Sequence, residues 1–169
     1  VPFVCALDGP VGGPSSPVVQ LDGVGELVLG PPPGTKLFPI AIGDETLTVR
    51  ESALIAMVGD IQYESARLPG GDGDFVPMIQ LRGAGDGRRP PCVVTLALPQ
   101  GAVTLEVMQD RTLLLRVHSV LGWTGRLSPR AVPPSEAPTK ARGLVALTGE
   151  GMVLVDGRSV YQDFLGVTF

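Results

Sequence analysis

The sequence predicts an all-β fold: a duplicated antiparallel β-roll, or double-stranded β-helix, with little or no helix. Three observations predict it. Glycine and proline number 23 and 17 in 169 residues, and they alternate with dense Val/Leu/Ile runs that disordered chains lack. The apolar runs are short, so many brief strands joined by tight turns account for both facts. Finally, Leu-x-Gly-x-Gly occurs three times, at Leu21-Gly23-Gly25, Leu81-Gly83-Gly85 and Leu147-Gly149-Gly151. Such internal periodicity marks a repeated architecture.

Element by element, "KLFPIAI" (36–42) and "VVTLAL" (93–98) read as apolar strands, each followed by a turn at Gly43 or Gly101. "TLTVRE" (46–51) and "VTLEVMQ" (103–109) alternate in character, as half-buried strands do. "ALIAMVGDIQYES" has helix-forming residues, but its counterpart "TLLLRVHSVLGWTG" is rich in β-branched and bulky residues, so both are read as extended. "FVPMIQL" and "GLVALT" lead into a glycine motif, and "PCVVTLAL" and "GMVLVDG" lead out of one. "GDETLTV" (43–49) matches "GAVTLEV" (101–107), giving an alternating order of the two motifs. The offset is 58 residues from Gly43 to Gly101 and 66 from Leu81 to Leu147. The difference is assigned to "RLSPRAVPPSEAPTKARG" (126–143), a Pro-rich loop extension facing the shorter "RLPGGDGD" (67–74). The organisation is thus an N-terminal segment, 1–17, and a single β-domain, 18–169. That domain holds two repeats, about 18–95 and 96–158, and a C-terminal extension. Trp123 and Tyr63 are read as matching aromatics of the two repeats.

At these residues the chain resembles the tryptophan RNA-binding attenuator protein-like (TRAP-like) family of unknown function, related to mitochondrial-biogenesis proteins altered in mitochondrial inheritance mutants. "TLTVRESALIAMVGDIQYE" and "TLEVMQDRTLLLRVHSVLGWTG" look like the family's two hydrophobic steps, and "GLVALTGEGMVLVDGR" looks like its closing motif. The resemblance covers roughly 18–158. Members are often longer, and "LLLRV" stands where an Ala is usual. The resemblance implies a duplicated antiparallel β-roll and, in bacteria, homotrimers. It carries over no catalytic residue.

Composition narrows function. Apolar residues make up 44% and charged residues 18%, with mean hydropathy +0.29. The charged share is below the roughly 25% usual for soluble domains, so apolar surface is expected to be hidden by oligomerisation. Net charge is −4 and the pI about 4.9. The tight basic pair is Arg88-Arg89, and a nucleic-acid role, which draws on a clustered positive field, is not expected. No apolar run approaches the roughly 18 residues of a membrane span. The start, "VPFVCALDG", lacks a signal peptide's basic region. Cys5 and Cys92 read as buried free thiols in a reducing, cytoplasmic setting, a disulfide remaining open.

No catalytic, cofactor or metal site is assigned. "IQLRGAGDG" (79–87) has a phosphate loop's spacing, but Arg88-Arg89-Pro90-Pro91 cannot open the helix such a loop needs. Glycine turns or bulges explain all three copies, so Gly23, Gly25, Gly43, Gly83, Gly85, Gly101, Gly149 and Gly151 are read as structural turns. His118, the single histidine, reads as a partly buried structural residue. An oxygen-ligand cation site from Asp72, Asp74 and Asp86 is conceivable, and a solvated turn is the simpler reading. The segment 128–142, with Arg130, Glu136, Lys140 and Arg142, is the place to look for a partner. The candidate partner surface is accordingly Arg88, Arg89, Arg130, Lys140 and Arg142. Two functions follow: a non-enzymatic oligomeric β-domain acting as scaffold or interaction module, or a small-ligand binder or enzyme working at a barrel mouth. A third, RNA binding, follows from the family name alone, and the acidic balance argues against it.

Overall fold

The computed structural model describes residues 3–6, 18–21, 24–70, 73, 75–84, 92–137 and 142–159. Side chains of 3–6 and 18–20 are not described. The chain is all-β, with antiparallel pairing throughout the registers given below. Its strands are β1 (Phe3–Ala6), β2 (Val18–Leu21), β3 (Thr35–Ile42), β4 (Thr46–Arg50), β5 (Leu54–Val58) and β6 (Ile61–Pro69). They continue as β7 (Phe75–Gly83), β8 (Cys92–Pro99), β9 (Ala102–Val107), β10 (Leu113–Arg116), β11 (Val120–Val132) and β12 (Leu144–Asp156). Two 3-10 turns, Glu51–Ala53 and Val117–Ser119, interrupt them, and a short helical stretch occupies 157–159.

The chain divides into two compact units. The first holds Val1–Ala66 and Ile79–Gln100, the second Arg67–Met78 and Gly101–Phe169. In the first, strands run β2-β1-β5-β8-β3, and β4, β7 and β6 are neighbours in that order. Val49, Ile79, Leu81, Val94 and Leu96 are fully buried there. In the second, β12 is central: it pairs β10 through Leu144–Leu147, β9 through Gly151–Asp156, and β11 along nearly its whole length. Leu68, Met78, Val120, Val145, Leu147, Val153 and Val155 form that unit's interior. Burying each such side chain is worth about 1.5–3 kcal/mol.

The two halves carry matching elements, in a register that differs from the motif alignment. β4 is the counterpart of β10, not of β9. Thr46-Leu47 and Arg50 correspond to Thr112-Leu113 and Arg116, 66 residues on. Each strand leads into a 3-10 turn, Glu51–Ala53 or Val117–Ser119, at the same 66-residue offset. A bulge then falls at the same place in both, between Leu54 and Ala56 and between Val120 and Gly122. Leu54 faces Leu96 as Val120 faces Val155, so β8 corresponds to the second half of β12 at an offset of 59. Ile40, opposite Val94, then matches Leu105, opposite Val153, which pairs β3 with β9 at an offset of 65. The two edge strands share their burial: Phe38 and Val103 are exposed, Ile40 and Leu105 half-buried.

Three expectations change as a result. The extra length sits between Gly83 and Cys92 in the first repeat, where eight residues (84–91) stand against the single Glu150 of the second. The segment 126–143 is not wholly a loop: through Val132 it belongs to β11, because Leu127, Pro129 and Ala131 alternate half-buried with exposed Arg126, Ser128 and Arg130. Trp123 corresponds to Met57, both buried, whereas Tyr63 is exposed and corresponds to Pro129.

The glycines divide into two kinds. Gly43 and Gly101 do stand in turns, β3–β4 and β8–β9, and Gly25 in an exposed bend. Gly149 and Gly151 lie inside β12 and Gly83 ends β7, so these three are strand positions rather than turns. Their role is close backbone approach. A Cβ on Gly125 (φ +84°) would sit 2.5 Å from the Glu150 carbonyl oxygen and 2.8 Å from Gly151 Cα. One on Gly59 (φ +113°), its counterpart, would sit 2.9 Å from Cys92 Sγ and 3.0 Å from Cys92 Cα. Gly23 and Gly85 lie outside the described residues. Replacing Gly125 with Ala is therefore expected to lower the unfolding free energy by about 2 kcal/mol or more, through left-handed strain and steric overlap. Gly30→Ala, which meets nothing within 4 Å, should change it by less than about 0.5 kcal/mol. Urea denaturation of both variants checks the pair.

Candidate interaction surface

Of the residues first singled out on charge, Arg130 and Arg142 are among those described. Arg88, Arg89 and Lys140 lie outside the described residues, as do Asp72, Asp74 and Asp86. Arg130, on β11, bonds Glu136 Oε2 at 3.1 Å, with both side chains more than half exposed. Such a surface pair contributes about 0–1 kcal/mol. Arg142 is exposed. A further pair joins Arg158 to Asp156: Nε and the backbone N–H donate to Oδ1 at 3.2 and 3.1 Å, and Nη2 donates to Oδ2 at 3.2 Å. The Asp156 carboxylate, through its hydrogen bond and then its charge, raises the Arg158 pKa above its ordinary value.

His118 is exposed, a correction to its partly buried reading. It sits in the second 3-10 turn, where the tighter winding breaks strand alternation and turns Val117 and Ser119 inward. Ser119 Oγ donates to the Arg116 carbonyl at 2.8 Å. Glu51, in the counterpart turn, takes the place of Val117 and is buried. Among the described residues no group of three or more His, Cys, Asp or Glu is placed to hold a metal ion. Among them, too, no helix is long and apolar enough to cross a membrane.

Cys92 begins β8 as a buried free thiol. Its S–H donates to the Asp60 carbonyl at 3.3 Å, and that carbonyl also accepts the Ala84 N–H at 3.0 Å. The Gly83 N–H donates to the Gly43 carbonyl at 2.8 Å. Gly83 and Ala84, within the former phosphate-loop candidate, are thus pinned by backbone hydrogen bonds, with the Cys92 side chain filling the space beside Gly59 and Gly83.

Exposure of apolar side chains is the more distinctive feature. In the first unit Val24, Leu27 and Val28 stand out from the segment leading to β3, and Phe38 from β3 itself. In the second, Val103, Met108, Leu114, Met152 and Phe75 are each at least 40% exposed. Phe75 lies under the Arg67 guanidinium, 4.3 Å from the ring centroid. Among the described residues β3 ends its sheet and β9 pairs β12 alone, so both are edge strands there. Reasoning from motifs missed these edges, because β9 was matched to β4. The signal was present as Pro39, which cannot donate to a ladder and is confined to edges.

No family model matches the chain. No curated protein matches it either. A Streptococcus pyogenes protein solved by X-ray crystallography as a structural-genomics target shares the fold, with a TM-score of 0.54 at 15% identity. The match covers 78% of this chain and 57% of that protein, so the chain spans little more than half its length.

Alkylation tests the placement of the thiol. Cys92, 5% exposed, is expected to react with iodoacetamide at least about tenfold more slowly in native protein than in urea, because reaction waits on local opening. Peptide mapping by mass spectrometry reads that residue separately from Cys5.

Proposed function

We propose that this chain is a non-enzymatic, oligomeric β-domain that acts as a scaffold or interaction module. The observation that carries the reading is the exposure of large apolar side chains, Val24, Leu27 and Val28 in one unit and Val103, Met108 and Met152 in the other. They stand on a chain with only 18% charged residues. Apolar side chains gathered on strands and their leads are what an association surface needs. Two of the chain's surface ion pairs, Arg130 with Glu136 and Arg158 with Asp156, join charges to each other and not to a partner. In this reading the partner is another copy, neither nucleic acid nor membrane is engaged, and the resemblance to the TRAP-like family favours three copies. The setting is cytoplasmic and reducing, in keeping with Cys92 as a buried thiol. Sedimentation equilibrium at micromolar concentration is expected to return an oligomer; a strict monomer over that range contradicts the proposal.

A further inference from the structure

We infer that the free edge of β9 pairs antiparallel with β9 of a second copy of this chain, continuing the sheet across a two-fold axis. This rests on the oligomer reading and adds where the copies meet; an isologous pair joins two copies, in place of the three that the family resemblance favours. The backbone sets the edge. Residues 101–107 of β9 and its lead face 157–151 of β12 and its continuation, and the Gly157 N–H donates to the Gly101 carbonyl at 3.0 Å. In an antiparallel ladder the bonded residues alternate. Gly101, Val103, Leu105 and Val107 therefore bond inward, and the N–H and C=O groups of Ala102, Thr104 and Glu106 point to the open side. Among the described residues no strand pairs with that side.

The sister repeat supplies the comparison. At the 65-residue offset Thr104 corresponds to Pro39, in the middle of an unbroken β3–β8 register. Proline has no N–H to offer a newcomer, and natural edge strands are blunted by proline and lysine. β3 carries both, Pro39 and an exposed Lys36. β9 carries neither at the matching places, Thr104 and Gly101. Among the described residues, one edge of the duplicated pair is closed to further pairing and the other is left open.

The open edge is also self-complementary. Its one charge is Glu106, and antiparallel registers that set Glu106 opposite Ala102 or Thr104 of the second copy keep the like charges apart. Val103 within the strand and Met108 just after it are 40% and 46% exposed. Met152, 42% exposed, stands beside Glu106 in register. A six-residue strand pair with these side chains is at the low end of interface size, so micromolar association is expected.

The test combines hydrogen exchange on the wild-type protein with sedimentation of variants. Amides of Thr104 and Glu106 are expected to exchange freely at low concentration and to gain at least tenfold protection as copies associate. Thr104→Pro, which copies the sister edge, should shift sedimentation toward monomer without changing far-UV circular dichroism. Val103→Lys should weaken association at least tenfold without a new proline. Protection independent of concentration would mean that the chain covers this edge itself, and would overturn the inference. So would free exchange at every concentration, or an undiminished oligomer in both variants. A wild-type trimer with a freely exchanging Thr104 amide keeps the oligomer reading and overturns this edge alone. A wild-type monomer removes both.

Discussion

The structure depends on two places where backbone meets backbone with no room for a side chain. At Gly125 and Gly151 the strands β11 and β12 come close enough that a Cβ on either would overlap the other strand. Gly149 extends the constraint: at φ +113° it would set a Cβ against the Arg126 carbonyl oxygen. This stretch is where β12 exchanges β10 for β9 as its neighbour while keeping β11 on the other side. Glycine at this point supplies both the left-handed backbone and the missing bulk.

The first repeat meets the same constraint differently. Gly59 keeps the positive φ of Gly125, but the residue opposite is Cys92 in place of Gly151. Here β7 ends at Gly83 and β8 begins at Cys92, with eight residues between them in the sequence. The Cys92 thiol then fills the space beside Gly59 and bonds the Asp60 carbonyl. The stretch that resembles a phosphate loop is thus a strand end followed by an insertion that its sister lacks.

Much of the fold was legible in the sequence because it rests on patterns that strands must carry. The all-β class, the duplication and most strand positions follow from short apolar runs and punctuating glycines. The register of the duplication did not follow, for a physical reason. Period-two alternation is the same in every strand, so "GDETLTV" matches "GAVTLEV" whether or not they are equivalent. The informative residues were those with special backbone needs. Gly59 and Gly125, like Leu81 and Leu147, are 66 residues apart, and a single offset carried through both would have aligned β4 with β10. Likewise, the prolines of 129–134 read as a loop, yet Pro129 sits in β11 opposite Leu147. The candidate site was less legible. Charge drew attention to Arg130, which is paired on the surface, while the edge contrast between Pro39 and Thr104 depends on a register that only strand pairing supplies.

Backbone proton contacts measured by nuclear Overhauser spectroscopy test the shared register most directly. The account predicts contacts between Gly125 and Gly151 and between Gly59 and Cys92 in the same spectrum, together with Leu113–Leu147 and Leu115–Val145 across β10 and β12. If the glycine pairs give no contact and Leu113 and Leu115 do not meet β12, then the two repeats do not share this pivot and the account fails.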